Sequence, residues 1–222
     1  MHRRWLTRAL IALAAPALTV VALAPAANAA AEVPTIDAVA KIYPHLEGGT
    51  ASVSTSKVYG PAKKCKTKVI KGASQTSASY SPDYSSGDPD VFTMTGAHPG
   101  VSATAMEFPN TKAAIAYLHG YSKYTKDCPG STPGGGGSGG GGGTPDCKTS
   151  MKKIKFTLGD ERWGYQMRST CKTGTQTTTM VFNSLFARQG KFIVYTSAMS
   201  MDATAPSIPL SIDMTELALK TV

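Results

Sequence analysis

The stretch VSATAMEFPNTKAAIAYLHGYSKYTKDC, residues 101–128, decides the fold of this 222-residue chain. Val101, Ala103, Ala105 and Glu107 alternate with Ser102, Thr104, Met106 and Phe108, the period of a strand, and Pro109-Asn110 stops it. Asn110 fits a helix N-cap. Beyond it Ala114, Tyr117, Leu118, Tyr121 and Thr125 recur at the i, i+3, i+4 spacing that lays one apolar stripe on a core. Cys128, beside Pro129-Gly130, closes the helix and offers a covalent tie to a distant part of the chain.

The N-terminus reads as an address. Arg3, Arg4 and Arg8 precede an apolar run over residues 9–24, and Ala27-Asn28-Ala29 offers a small-x-small cleavage site. Residues 1–29 are therefore read as a signal peptide, with residues 30–222 as a single secreted domain. An uncleaved anchor is the competing reading, but Pro16 interrupts the run and it is short for the roughly 20 residues a span needs. Arg3-Arg4 leaves general and twin-arginine export both open, although Thr7 stands where the latter prefers an apolar residue. No cysteine follows the cleavage site to carry a lipid anchor, and no later apolar stretch is long enough to cross a bilayer.

Losing three arginines and no acid lowers the formal charge from +9 to +6. A basic exported chain fits acidic cell-wall polymers or anionic lipid, and no nucleic-acid partner is expected; the plainer reading is that the lysines keep the protein soluble. Five lysines, Lys63, Lys64, Lys66, Lys68 and Lys71, crowd around Cys65 as a solvated face or an anion patch.

Upstream of the deciding stretch, residues 35–46 read as a short amphipathic helix with Ile36, Val39, Ala40 and Tyr43 on one side and Pro44 near its end. Residues 48–57 are polar and small, a loop or an edge. Residues 75–81 alternate weakly, residues 83–90 (DYSSGDPD) have the content of a turn, and residues 91–95 read as a strand pairing through it. Downstream, residues 152–158 and 161–169 flank a Gly159-Asp160 turn, and residues 177–187 and 191–199 flank Gln189-Gly190. In the first pair Trp163, Tyr165 and Met167 share one face, with Arg162, Gly164, Gln166 and Arg168 on the other. Residues 207–222 close the chain as a helix, with Pro209 in its first turn and Leu210, Met214, Leu217, Ala218 and Thr221 on one stripe. The order gives an α+β domain built on a mostly antiparallel sheet with packed helices.

Between Cys128 and Cys147, nine of the ten residues 134–143 are glycine, which reads as a flexible loop. The tract matches a nucleophile-elbow pattern around Ser138 only as any glycine run would, without the strand-turn-helix context. Four cysteines in an exported chain, Cys65, Cys128, Cys147 and Cys171, imply two disulfides, for which three connectivities are open.

The order of strand, Phe108-Pro109-Asn110, helix and Cys128-Pro129, followed by Leu158-Gly159-Asp160-Glu161, a β-hairpin and a short C-terminal helix, resembles the secreted and lipoprotein sensor-domain family of actinobacteria. That family includes the extracellular domain of the mycobacterial Ser/Thr protein kinase H. The resemblance spans residues 65–222 and implies a single α+β domain with a cleft over an antiparallel sheet that binds a ligand without transforming it. It also implies the pairings Cys65 with Cys128 and Cys147 with Cys171. Here the sequence contains no kinase domain, and the glycine tract falls in the loop after the helix cysteine.

Chemistry-bearing residues are sparse. His45, His98 and His119 lack metal-motif spacing, and Asp83, Asp88 and Asp90 read as turn acids before a Ca²⁺ loop. No catalytic residue, metal ligand or cofactor is assigned; a Ser-His-Asp set from distant positions stays open. The candidate ligand-binding residues are Trp163, Tyr165, Phe182 and Tyr195, on the sheet face expected to lie away from the helices; the alternative is that all four are core. If they border a cleft, it should be mainly apolar, with Arg162 and Arg168 reaching only its rim. The expected function is a secreted, non-catalytic, sensor-like module of the actinobacterial envelope or exterior, taking a small molecule or an envelope component. A secreted envelope hydrolase and a basic protein binding anionic polymers or lipid are the alternatives.

Overall fold

A computed structural model describes residues 31–86, 93–128 and 146–222. The signal-peptide reading, residues 91–92 of the expected 91–95 strand, Asp88, Asp90 and the glycine tract lie outside the described residues.

Seven antiparallel strands form one sheet in the order β1-β2-β3-β7-β6-β5-β4: β1 Thr50–Pro61, β2 Thr67–Ser81, β3 Gly100–Glu107, β4 Asp146–Lys153, β5 Glu161–Thr173, β6 Gln176–Gln189 and β7 Phe192–Ser200. Among the described residues three α-helices accompany it, α1 Ile36–Ala40, α2 Thr111–Asp127 and α3 Ile208–Leu219. The deciding stretch folds as its period dictates. β3 sits mid-sheet between β2 and β7, and Val101, Ala103 and Ala105 are buried on one face. Asn110 caps α2 by accepting from the Ala113 N–H at 2.9 Å.

Several elements differ from the sequence reading. The helix expected over residues 35–46 is a five-residue α1 followed by a 3₁₀ turn, Pro44–Leu46, because proline lacks the N–H that would continue it. Residues 48–57 supply most of edge strand β1, whose register with β2 is continuous from Thr50↔Ser81 to Lys57↔Ser74. Thr93 to Thr95 are not in a strand; β2 is flanked by β1 and β3 instead. Downstream of the glycine tract the ladder begins earlier than expected, at Asp146, and stops at Lys153, so residues 154–158 are irregular.

The two disulfides pair Cys65 with Cys128 and Cys147 with Cys171, as the resemblance implied. The second joins directly opposed residues of β4 and β5. The first fastens the turn of the β1–β2 hairpin to the end of α2, where Tyr124 Oη also donates to the Cys65 carbonyl at 2.8 Å.

The helices do not gather on one face. α1 and α3 cover the face carrying Ala78, Tyr80, Val101, Ala103, Ala187 and Val194. Asn183, fully buried in β6, fixes α3 there: its Nδ2 donates to Ser211 Oγ at 3.0 Å and to the Pro206 carbonyl at 2.9 Å, while its Oδ1 accepts from Gln166 at 2.9 Å. α2 crosses one end of the opposite face, burying Phe108, Ala114, Leu118 and Tyr121 against Val58, Met106, Tyr165, Phe186 and Ile193. The sheet is covered on both sides at that end because apolar side chains alternate onto both faces, Phe186 and Ile193 onto one and Ala187 and Val194 onto the other. The rest of the α2 face is a field of hydroxyls, with Ser52, Ser54 and Ser56 exposed and Ser77, Ser102, Thr104 and Ser197 half-buried.

Candidate functional site

Strand parity sends Trp163 and Tyr165 toward α2, and the β5–β6–β7 register sets Trp163 opposite Phe186 and Phe186 opposite Tyr195. The rings form a continuous stack. Phe186 lies 5.3 Å from Trp163, 4.5 Å from Tyr195 and 4.8 Å from Tyr121, and Trp163 lies 4.8 Å from Tyr165 and 5.9 Å from Tyr121. Offset and tilted contacts of this kind stabilise beyond the area they bury. Phe186, wholly enclosed, contributes roughly 1.5–3 kcal/mol by burial alone.

The structure thus brings three of the four candidate residues together and gives them different environments. Tyr165 is core, and burial pushes its hydroxyl up to about 12. Tyr195 is half-buried, its ring on Phe186 and its hydroxyl 3.4 Å from Ser184 Oγ. Phe182 shares their face but lies opposite Met167 and Met199, outside the stack. Phe186 takes the place beside Trp163. Both phenylalanines have the right parity, and only the register, four residues apart, separates them.

Trp163 is half-buried because its other side borders an open groove of about 760 Å³ between α2 and the irregular segment after β4. Leu118, Ile154, Phe156 and Trp163 give it apolar walls, and His119, Lys153, Lys155, Asp160, Glu161 and Arg162 give it charge. The expectation of a mainly apolar cleft with Arg162 only at the rim is therefore corrected. The groove lies at the edge of the sheet, where β4 ends and the chain folds over β5. Arg162 is drawn in because its Nε donates to the Phe156 carbonyl at 3.0 Å, and Gly164 leaves room for the Phe156 ring.

The acids of the groove are already engaged. Arg188, 5% exposed, donates through Nη1 to Asp160 Oδ2 at 2.9 Å and lies 3.6 Å through Nε from Glu161 Oε2. Asp160 Oδ2 also accepts from the Gly190 N–H at 2.9 Å, and Glu161 Oε2 is 3.3 Å from His119 Nε2. Lys153 and Lys155 are exposed and have no ion pair among the described residues. The unspent charge of the groove is positive, beside an aromatic wall.

Ser122, His119 and Glu161 line the same groove, a trio that sequence spacing did not flag. Ser122 Oγ donates to the His119 carbonyl at 3.1 Å and not to its ring, so the serine lacks the hydrogen bond to a base that a nucleophile requires. His45 sits elsewhere, donating through Nε2 to the Pro99 carbonyl at 3.0 Å beside the His98 ring. Asp83 accepts from the Ser85 N–H and hydroxyl at 2.9 and 2.6 Å, the geometry of a turn acid. Among the described residues there is no cluster of His, Cys, Asp or Glu placed to hold a metal, and no helix is long and apolar enough to cross a membrane.

No family model matches the chain, and no curated protein matches its sequence. Among solved structures, the chain is similar to the extracellular domain of PknH from Mycobacterium tuberculosis, with 11% identity over 86% of this chain and 99% of that one and a TM-score of 0.44. It is also similar to LpqN, involved in cell envelope biogenesis of Mycobacterium tuberculosis, with 10% identity over 77% and 81% of the two chains and a TM-score of 0.25. The first of these is the extracellular domain whose family the sequence pattern resembles.

Proposed function

We propose that this is a non-catalytic ligand-binding module of the envelope or exterior, whose groove beside Trp163 takes a small molecule with an apolar or ring portion and an anionic group. One observation carries the reading: Trp163 and Phe156 wall a groove in which Asp160 is hydrogen-bonded and Glu161 ion-paired to Arg188, while Lys153 and Lys155 have no ion pair among the described residues. Ring faces take up apolar surface, and free ammonium groups fix an anion's orientation, the usual division of labour in small-molecule sites. Two disulfides fit an oxidising compartment.

The anionic fluorophore 1-anilinonaphthalene-8-sulfonate tests it, having fused rings and a sulfonate. Direct excitation of the probe should give saturable binding to the folded chain, weakened at least about tenfold by Trp163→Ala and severalfold by Lys153→Gln with Lys155→Gln, while far-ultraviolet circular dichroism is unchanged. Binding unaffected by either change would place the probe elsewhere and overturn the reading. The hydrolase alternative has its own readout: turnover across a panel of ester substrates that Ser122→Ala abolishes would make the groove an active site.

A further inference from the structure

β3 pairs with β2 only over Ser74 to Tyr80, so the outer part of the β1–β2 hairpin runs on as a two-stranded ribbon. One side of that ribbon, Val58, Gly60 and Ile70, packs toward α2. On the other side Tyr59 and Val69 face each other across the strands, 45% and 44% exposed, with Val53 further along β1 at 56%. Lys57, Lys63, Lys64, Lys66, Lys68 and Lys71 surround them, all exposed and without an ion pair among the described residues. From Thr50 to Ser81 the sequence contains no acid. Asp127, next in sequence to the Cys128 that the disulfide ties to the turn, is paired with Lys123 at 2.5 Å.

The turn is also held in one shape. Lys64 and Cys65 have φ of 57° and 53°, a left-handed conformation that residues with side chains seldom adopt. The disulfide to Cys128 and the Tyr124 hydroxyl on the Cys65 carbonyl keep it there. A surface fixed before contact gives up less entropy on binding.

We infer that this hairpin is a docking surface for an anionic phospholipid bilayer. The lysines meet headgroup phosphates, and Tyr59 and Val69 enter the boundary between headgroups and acyl chains, where an aromatic hydroxyl and an aliphatic group are both favoured. The exposed apolar pair selects a bilayer over a soluble polyanion, which would engage the lysines and leave Tyr59 and Val69 in water.

The test is co-sedimentation of the full-length chain with vesicles of phosphatidylcholine, with and without phosphatidylglycerol, read as the excess partition on the anionic vesicles. Wild type and variants carry the same apolar first thirty residues, so that segment contributes equally throughout. The excess should be present in wild type and fall with added salt. It should drop about a hundredfold in Lys63→Gln/Lys64→Gln/Lys66→Gln, at about fivefold per lysine near an anionic surface. Tyr59→Ser/Val69→Ser should also lower it about tenfold while retention on a heparin column stays at the wild-type value. No excess in wild type, or an excess indifferent to the lysines, overturns the inference. So does a Tyr59→Ser/Val69→Ser chain that keeps full vesicle binding, which would assign the hairpin to polyanions. All five side chains are exposed, and thermal unfolding monitored by circular dichroism checks that each variant folds.

Discussion

Arg188 reaches across the sheet end to hold Asp160, its Nη1 2.9 Å from Asp160 Oδ2, with the guanidinium buried and the carboxylate half in water. The same oxygen takes the Gly190 N–H, so one carboxylate joins the β4–β5 turn to the β6–β7 turn. Asp160→Ala leaves a buried cation with fewer acceptors and should cost about 1.5–3 kcal/mol, measured by urea unfolding. The groove wall moves with that turn, so probe affinity should fall in the same variant.

Gly159 precedes that aspartate with φ of 63°, and a Cβ there would stand 2.4 Å from the Arg188 carbonyl oxygen. Neither the backbone nor the oxygen can yield cheaply, since the Asp160 N–H donates to that same carbonyl at 2.7 Å. Gly159→Ala should destabilise by about 1–3 kcal/mol, visible as a lower denaturation midpoint at constant m-value.

Acid should weaken the fold through His45. Burial first, and the neighbouring His98 after it, outweigh the Pro99 carbonyl and hold its pKa below the ordinary value of 6.5. The unfolded chain then binds the proton first, so stability is present above about 6.5 and declines as pH falls from there toward the folded pKa. His45→Gln should flatten that slope in a series of unfolding curves.

Alkali acts in the opposite direction. Burial pushes Tyr43 and Tyr165 up to about 12 and Tyr80, Tyr117 and Tyr121 higher still. The unfolded tyrosines lose protons from about 10, so stability should fall above that pH. The share of the tyrosinate absorbance that comes from these five buried rings should appear only together with loss of structure.

The two disulfides close segments of 63 and 24 residues. In the chain-entropy model their loss costs about 4 and about 3.5 kcal/mol. Cys65→Ser/Cys128→Ser should therefore lower the melting temperature more than Cys147→Ser/Cys171→Ser.

Where hydropathy contrasts along the chain, the sequence could be read. β3 and α2 carry apolar positions at a single period, β6 and β7 carry apolar runs around a Gly-containing turn, and Asn110 and Pro109 mark a boundary that the structure keeps. β1 could not be read that way. TASVSTSK puts serines on one face and only the small Ala51 and Val53 as apolar residues on the other, and its pairing comes from β2 rather than from a strong contrast of its own. The aromatic stack is legible as parity but not as register, so the sequence points to Phe182 where Phe186 stands. The groove was the least legible feature. It depends on where β4 stops and on Arg162 folding over Phe156, contacts that no local pattern encodes.

The disulfides follow one another along the chain without interlocking, so no covalent bridge spans the interval between Cys128 and Cys147. A single cut there would release two polypeptides, one holding β1, β2, β3 and α2, the other β4 to β7 and α3. Among the described residues only the β3–β7 ladder joins their strands, yet each lends the other a lid: α2 lies over Phe186 and Trp163, and Met214 of α3 packs beneath Val101 and Ala103. The molecule is in this sense a heterodimer written as one chain. The nicked protein should migrate as two bands on a non-reducing denaturing gel and as one species under native conditions, and its halves should suit fragment complementation.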